Sequence, residues 1–186
     1  MSELNRTEMI FKLAFLGNSA VGKTSLINQY IHQRFEQDYH PSLGVNIVIK
    51  EMAVEEKNTH VKMILWDIAG QEKYDLSRKL FYQGCVGALL VYDVTRPATF
   101  NDIKTKWLKD LKEFGNKNAA YLLIGNKNDL TEKKIVSTQE GEKLALKIKA
   151  SEFIETSAKH GDNVEKAFKT LVLSVMSNKV KNKLTL

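Results

Sequence analysis

The chain contains one cysteine and two prolines in 186 residues. A lone thiol cannot close an internal disulfide, so the fold must be held by its core, and a reducing cytosol is the implied setting. Cys85 stands among Phe81, Val86 and Ala88, which predicts a buried thiol. Long apolar runs are missing too. No stretch reaches the roughly 20 residues that cross a bilayer, and the polar N-terminus does not resemble a signal peptide. His32, His40, His60 and His160 follow no metal-ligand spacing. Repeats, linkers and low-complexity blocks are absent. What is left is one globular domain, large enough to bury about 70% of its unfolded surface.

Acidic residues are the scarcer sign, 22 against 28 basic ones, for a net charge of +6. Much of the excess falls at Lys166, Lys169, Lys179, Lys181 and Lys183. Val164, Phe168, Leu171 and Val175 form the apolar stripe of the same helix, so these lysines read as its solvated face. No aromatic residues interleave them as a single-strand surface would require, so no nucleic-acid partner is expected.

Against these absences, residues 17–24 read Gly-Asn-Ser-Ala-Val-Gly-Lys-Thr, the phosphate-loop pattern G-x-x-x-x-G-K-[ST] without a gap. The apolar run 10–16 precedes it as a buried strand. Leu26, Ile27, Tyr30 and Ile31 follow at helical spacing. Strand, glycine loop and helix are the context this motif needs. Gly17 and Gly22 let the backbone turn its N–H groups onto an anion, Asn18, Ser19, Ala20 and Val21 complete the loop, and the helix opening at Lys23, Thr24 and Ser25 adds its positive end. Lys23 is placed to reach the β- and γ-phosphates, and the Thr24 hydroxyl to ligate Mg²⁺.

The loop says nucleotide without saying which base. The strand 119–125 ends in Asn126-Lys127-Asn128-Asp129. A carboxylate there can accept from both N1–H and the 2-amino group of guanine. Adenine would leave it unpaired, at a cost of several kcal/mol. Ser157-Ala158-Lys159, after the short strand 152–155, can close over the other side of the base and offer the Ala158 N–H to the guanine carbonyl. The strand 60–66 ends in Asp67-Ile68-Ala69-Gly70-Gln71. Asp67 can hold Mg²⁺ through water, the Gly70 N–H can bond a γ-phosphate oxygen, and Gln71 can orient the attacking water. Tyr39-His40-Pro41-Ser42 lies in an extended polar stretch. Ser42 offers a hydroxyl to the metal, and Phe35 an aromatic lid over the base.

Strand candidates fall at 10–16, 45–54, 60–66, 86–92, 119–125 and 152–155. The second and third read as an antiparallel hairpin. The others alternate with helices, which implies a parallel sheet covered on both faces. Phe100, Ile103, Trp107, Leu111 and Phe114 mark one long helix, and the segments from Ser137 and from Asp162 read as capping boxes. Gly17, Asp67, Asn126 and Ser157 each follow a strand's carboxyl end. In an open α/β sheet those ends share one rim, so four scattered motifs converge on one pocket.

In this order and spacing the motifs resemble the Ras superfamily of small GTPases. The likeness is greatest to the Rab branch. It is carried by residues 43–47 (Leu-Gly-Val-Asn-Ile), 62–74, 81–85 and 91–95 and by Ser19 in the phosphate loop. The resemblance implies the P-loop NTPase, small G-protein fold: a six-stranded, mostly parallel sheet with one antiparallel strand and about five helices on both faces. It implies a domain over 9–180, between a flexible arm at 1–8 and a short basic tail at 181–186. It also implies a slow GTP hydrolase that binds GTP or GDP with Mg²⁺. Effectors would be met through residues 35–47 and 68–80, with an exchange factor and a GTPase-activating protein as further partners. The alternative is a GTP-regulated binding module with little hydrolysis.

Three departures stand out. Ser42 occupies the place of the usual Thr, and Ile47 and Phe81 replace aromatics of an effector-facing cluster with Trp66. The final residues, Val-Lys-Asn-Lys-Leu-Thr-Leu, carry no prenylatable Cys. The expectation is a cytoplasmic monomer, with at most weak electrostatic contact at a membrane surface.

Overall fold

The computed structural model describes residues 6–35, 45–68 and 80–184, with side chains as far as 179. Six strands, β1 (Thr7–Leu16), β2 (Val45–Val54), β3 (Thr59–Ile68), β4 (Gly87–Asp93), β5 (Ala120–Asn126) and β6 (Phe153–Thr156), form one sheet. Their order is β2-β3-β1-β4-β5-β6. β2 runs antiparallel to β3, and every other neighbouring pair is parallel. The small G-protein architecture implied by the motifs is thus present.

The chain turns to opposite sides of β1, placing β3 on one flank and β4 on the other. The carboxyl end of β1 is therefore the switch point where an open sheet leaves a crevice. The phosphate loop leaves the sheet there and enters α1 (Lys23–His32).

Side chains alternate across β1. Phe11, Leu13 and Phe15 face one core, which α1 and α5 (Val164–Leu184) cover with Leu26, Ile27, Phe168, Leu171 and Val175. Tyr30 stacks on Phe168 with ring centroids 3.8 Å apart. Ala14 and Leu16 face the other core. That face is covered by a helical run, α2 (Pro97–Asp102) and α3 (Leu108–Phe114), and by α4 (Thr138–Ile148). β4, covered on both faces, is buried throughout, as its unbroken apolar sequence requires.

Four expectations need adjustment. β1 begins at Thr7, which pairs with Thr59 and donates its N–H to Asn58 O at 3.1 Å, so the end of the expected arm is strand. α5 runs through residue 180 to Leu184, so most of the expected tail is helix. The long helix is interrupted by a π-helical turn over Ile103–Trp107. The wider turn lets Ile103, Trp107 and Leu108 all reach the core. Finally, Ser137 and Glu140 close a capping box, but Asp162 does not cap α5. Asn163 instead takes a left-handed φ of 57° and donates its amide to Glu155 O at 2.9 Å.

Cys85 is fully buried, and its thiol donates to Phe81 O at 3.4 Å. Burial pushes its pKa up to about 11, although Lys12 pulls the other way. At pH 8 the folded protein should therefore react with a disulfide reagent only as fast as it opens, and unfolding by denaturant should release one reactive thiol per chain. Rapid labelling of the native protein would contradict this packing.

Candidate nucleotide site

Among the described residues eight polar or charged ones are buried: Lys23, Thr59, Asp67, Asp93, Thr99, Asn126, Thr156 and Ser157. Asp67, Asp93, Asn126, Thr156 and Ser157 lie at or just beyond the carboxyl ends of strands, and Lys23 and Thr99 lie in the first turn of the helices that follow β1 and β4. Most buried polar groups in folded proteins have hydrogen-bond partners, and here the partners join loops distant in sequence.

Asn126, 1% exposed, is the centre of this network. Its Nδ2 donates to Val21 O at 2.8 Å. Its Oδ1 accepts from Thr156 Oγ1 at 3.0 Å and from the Ala158 N–H at 3.2 Å. One amide therefore binds the phosphate loop, the N-K-x-D loop and the Ser-Ala-Lys loop to each other. The Ala158 N–H, expected to face a base carbonyl, is engaged by Asn126, so a purine oxygen would share that donor. Asp129 sits half-buried on the same rim and accepts from Ser157 Oγ at 2.7 Å. The Ser157 hydroxyl in turn accepts from the His160 N–H at 3.1 Å, which holds the serine in place. Lys159 is exposed.

The phosphate loop has the shape its glycines permit. A Cβ on Gly22, whose φ is 98°, would lie 2.2 Å from Asn126 Nδ2. A Cβ on Gly17 would lie 2.2 Å from Val91 O. Ala20 also takes a left-handed φ of 60°. Gly22 caps α1, so the helix opens with the N–H groups of Lys23, Thr24 and Ser25 at the end of the loop. Lys23 Nζ donates to Gly17 O and Asn18 O, both at 2.9 Å, holding its ammonium at the mouth of the loop.

Thr24 Oγ1 donates to Asp67 Oδ2 at 2.5 Å. The two residues come from α1 and β3, so the sheet brings a hydroxyl and a carboxylate oxygen together beside the phosphate loop. Hard oxygen donors of this kind suit Mg²⁺, which takes few protein ligands and completes its shell with phosphate and water. The donor set fits the cation expected there.

Two braces escaped the sequence reading. Asp93, at the end of β4, accepts from the Thr95 N–H at 2.9 Å, Thr95 Oγ1 at 2.7 Å and Arg96 Nε at 3.0 Å. It also pairs with Lys127 Nζ at 2.7 Å. Arg96 continues to the phosphate loop, donating from Nη2 to Ser19 O at 2.9 Å. Lys127 takes a left-handed φ of 68°. The second brace is Asn18, whose amide donates to Asp102 Oδ2 at 2.6 Å while Trp107 Nε1 donates to Asn18 Oδ1 at 2.8 Å. An acidic residue at a strand's carboxyl end was a usable signal for Asp93. Its partners lie far along the chain and gave none.

Phe35 is 38% exposed, as an aromatic not recruited to the core. Tyr39, Ser42, Gly70 and Gln71 lie outside the described residues. On the outer strand Ile47 pairs across from Trp66, whose ring lies 5.9 Å from that of Phe81.

Burial alone would raise the Asp93 carboxyl. The hydrogen bonds from Lys127 and Thr95 and the Lys127 charge outweigh it and hold the group below its ordinary value. A carboxylate depressed in the folded state stabilises fully above its unfolded pKa, and that stability is lost as pH falls through the folded value. Asp93→Asn should therefore cost about 2 kcal/mol near neutral pH. The gap from the parent should narrow below about pH 4. Denaturant titrations across that range would detect it, and a gap that widened on acidification would contradict the assignment.

A family model described as "Ras family" matches residues 12–177. The Ras-related protein RABA2a of Arabidopsis thaliana is 40% identical over 168 residues, covering 90% of this chain and 76% of the relative. RABD1 of the same plant is 38% identical, covering 90% and 80% respectively. The GTP-binding protein ypt3 of Schizosaccharomyces pombe is 35% identical over 175 residues, covering 94% and 80%. With the sheet order, the phosphate loop and the three-loop rim already in place, these matches establish that the chain belongs to the Ras family of small GTPases and is Rab-like within it.

Proposed function

We propose that the rim binds GTP and GDP with Mg²⁺, hydrolyses GTP slowly, and reports the bound state to partner proteins through residues 35–47 and 68–80. The observation that carries this reading is the position of Asn126. By joining Val21, Thr156 and Ala158 it sets the phosphate loop and both base-facing loops around one crevice. A nucleotide is the ligand that needs both ends at once.

Recognition divides by chemistry. The phosphates lie against the N–H groups of residues 17–25, with the Lys23 ammonium as point charge. Asp129, held by Ser157, accepts from the guanine N1–H and 2-amino group. Lys127, anchored on Asp93, and Phe35 flank the base, and Lys159 closes its outer side. Thr24, Asp67 and Ser42 would hold Mg²⁺, which would offset the negative charge that builds on the phosphates.

For hydrolysis, Gln71 orients a water in line with the γ-phosphorus. The new P–O bond forms as the bond to the β–γ bridging oxygen breaks, and the water's proton passes to the departing phosphate. Lys23 and the loop amides stabilise the charge that develops. No Arg lies between Arg34 and Arg78, and the Arg96 guanidinium is engaged by Asp93 and Ser19 O. Intrinsic turnover is therefore on the order of 10⁻⁴ to 10⁻³ per second, and an activating protein would supply the missing cation. Loss of the γ-phosphate removes the contacts of Ser42 and Gly70, releasing both segments. Ile47 and Ile49, 47% and 55% exposed on the edge strand β2, offer an effector an apolar row beside Trp66.

Two substitutions test the assignment. Asp129→Asn should weaken GTP binding by about a thousandfold and raise affinity for xanthosine triphosphate, whose 2-oxo group accepts from the new amide. Unchanged affinity for both nucleotides would remove Asp129 from the base site. Gln71→Leu should slow single-turnover phosphate release while GTP affinity stays within about threefold. Lys23→Ala should instead damage binding itself. The reverse pattern would make Gln71 structural.

A further inference from the structure

Of the lysines that give the chain's C-terminal part its charge, the three whose side chains are described have partners. On α5, Lys166 pairs with Glu152 at 3.0 Å and Lys169 with Glu56 at 3.2 Å. Lys179 Nζ lies over the Phe11 ring, 4.7 Å from its centroid. On the other face of the sheet a groove of about 480 Å³ opens between α4 and the run from the π-turn into α3. Lys104, Lys109, Lys112 and Lys147 line it, with Glu113 as the one carboxylate. No ion pair joins these four lysines to a carboxylate among the described residues. Leu108 and Ile148, each 4% exposed, form its floor.

Four lysines around one concavity concentrate a positive field there. A compact ligand with several negative charges matches that field, and Lys is well suited to phosphate as a mobile point charge. The volume lies in the range of small-molecule sites. Leu146, 80% exposed, stands next to Lys147 in sequence on the same helix. A bare leucine beside a basic cluster gains nothing from a free anion, but it gains burial at a lipid interface. We propose that this groove binds the multiply phosphorylated headgroup of an inositol phospholipid displayed on a membrane.

The helices run back from the carboxyl rim toward the amino ends of the strands. Lys104, the earliest groove residue of its run, lies beyond the whole of α2, and Lys147 lies in the last turn of α4, so this site is separate from the nucleotide crevice. Occupancy should not compete with GTP or GDP.

The test is flotation of the full chain, in its GDP form, with vesicles at near-physiological salt. One set carries phosphatidylinositol bisphosphate; another carries phosphatidylserine at equal total charge. The protein should float with the first and not the second. Lys109→Gln with Lys112→Gln should weaken vesicle binding by about tenfold or more. The charge-matched pair Lys166→Gln with Lys169→Gln should change it less than about twofold. Leu146→Asn should weaken flotation yet leave calorimetric binding of soluble inositol trisphosphate unchanged. Thermal melts check that each variant is folded. Equal flotation on phosphatidylserine, equal loss in both lysine pairs, absence of flotation, or binding of the soluble headgroup without vesicle recruitment would each overturn the proposal.

Discussion

The side-chain amide of Asn126 is the contact on which the candidate site depends. It is buried at the end of β5, and its three hydrogen bonds go to Val21 in the loop after β1 and to Thr156 and Ala158 at the end of β6. A buried amide left with unmet bonds costs about 1–3 kcal/mol per group, so the three loops hold together or come apart as a unit. The requirement extends to Gly22. A side chain there would occupy the space of Asn126 Nδ2, and the same glycine sets the start of α1 and hence the direction of its N-terminal amides.

Asp93 and Asn18 extend that unit into the helices. Asp93 gathers Arg96 and Lys127, and Arg96 reaches Ser19 in the phosphate loop. Asn18 is held by Asp102 at the end of α2 and by Trp107 at the end of the π-turn. The phosphate loop is therefore braced from β4, β5 and the helical run, not only by its own strand and helix. Such bracing suits the proposed nucleotide site, because preorganised donors need not reorganise when charge develops. By contrast, Ile47 and Ile49 on the edge strand stay exposed, which suits the effector surface proposed there.

Much of this was legible in the sequence, for identifiable reasons. The strands lie within a few residues of their expected places because continuous apolar runs and turn residues mark both ends. The phosphate loop was readable because its chemistry is local: glycines, a lysine and a hydroxyl within eight residues. Thr7 and Glu8 were missed because they are polar and exposed, and become strand only by pairing with Thr59 and His60. The π-turn was hidden because Phe100, Ile103, Trp107, Leu111 and Phe114 are spaced as in an ordinary α-helix. What distinguishes the turn is the reach of Trp107 to Asn18, 89 positions away. Asn126 was legible as a site residue, but its contact with Val21 spans 105 positions and no local pattern encodes it. The lysine-lined groove escaped for the same reason. Its cations come from two helices, and only the fold tells them apart from paired ones.

The central claim is that the crevice around Asn126 is built for a guanine nucleotide. The most direct measurement is the identity and amount of nucleotide released when the protein, purified with Mg²⁺ throughout, is denatured and the supernatant is resolved by anion-exchange chromatography. The account predicts GDP or GTP at close to one equivalent per chain. Release of an adenine nucleotide, or of no nucleotide from protein that also fails to take up added GDP, would contradict it.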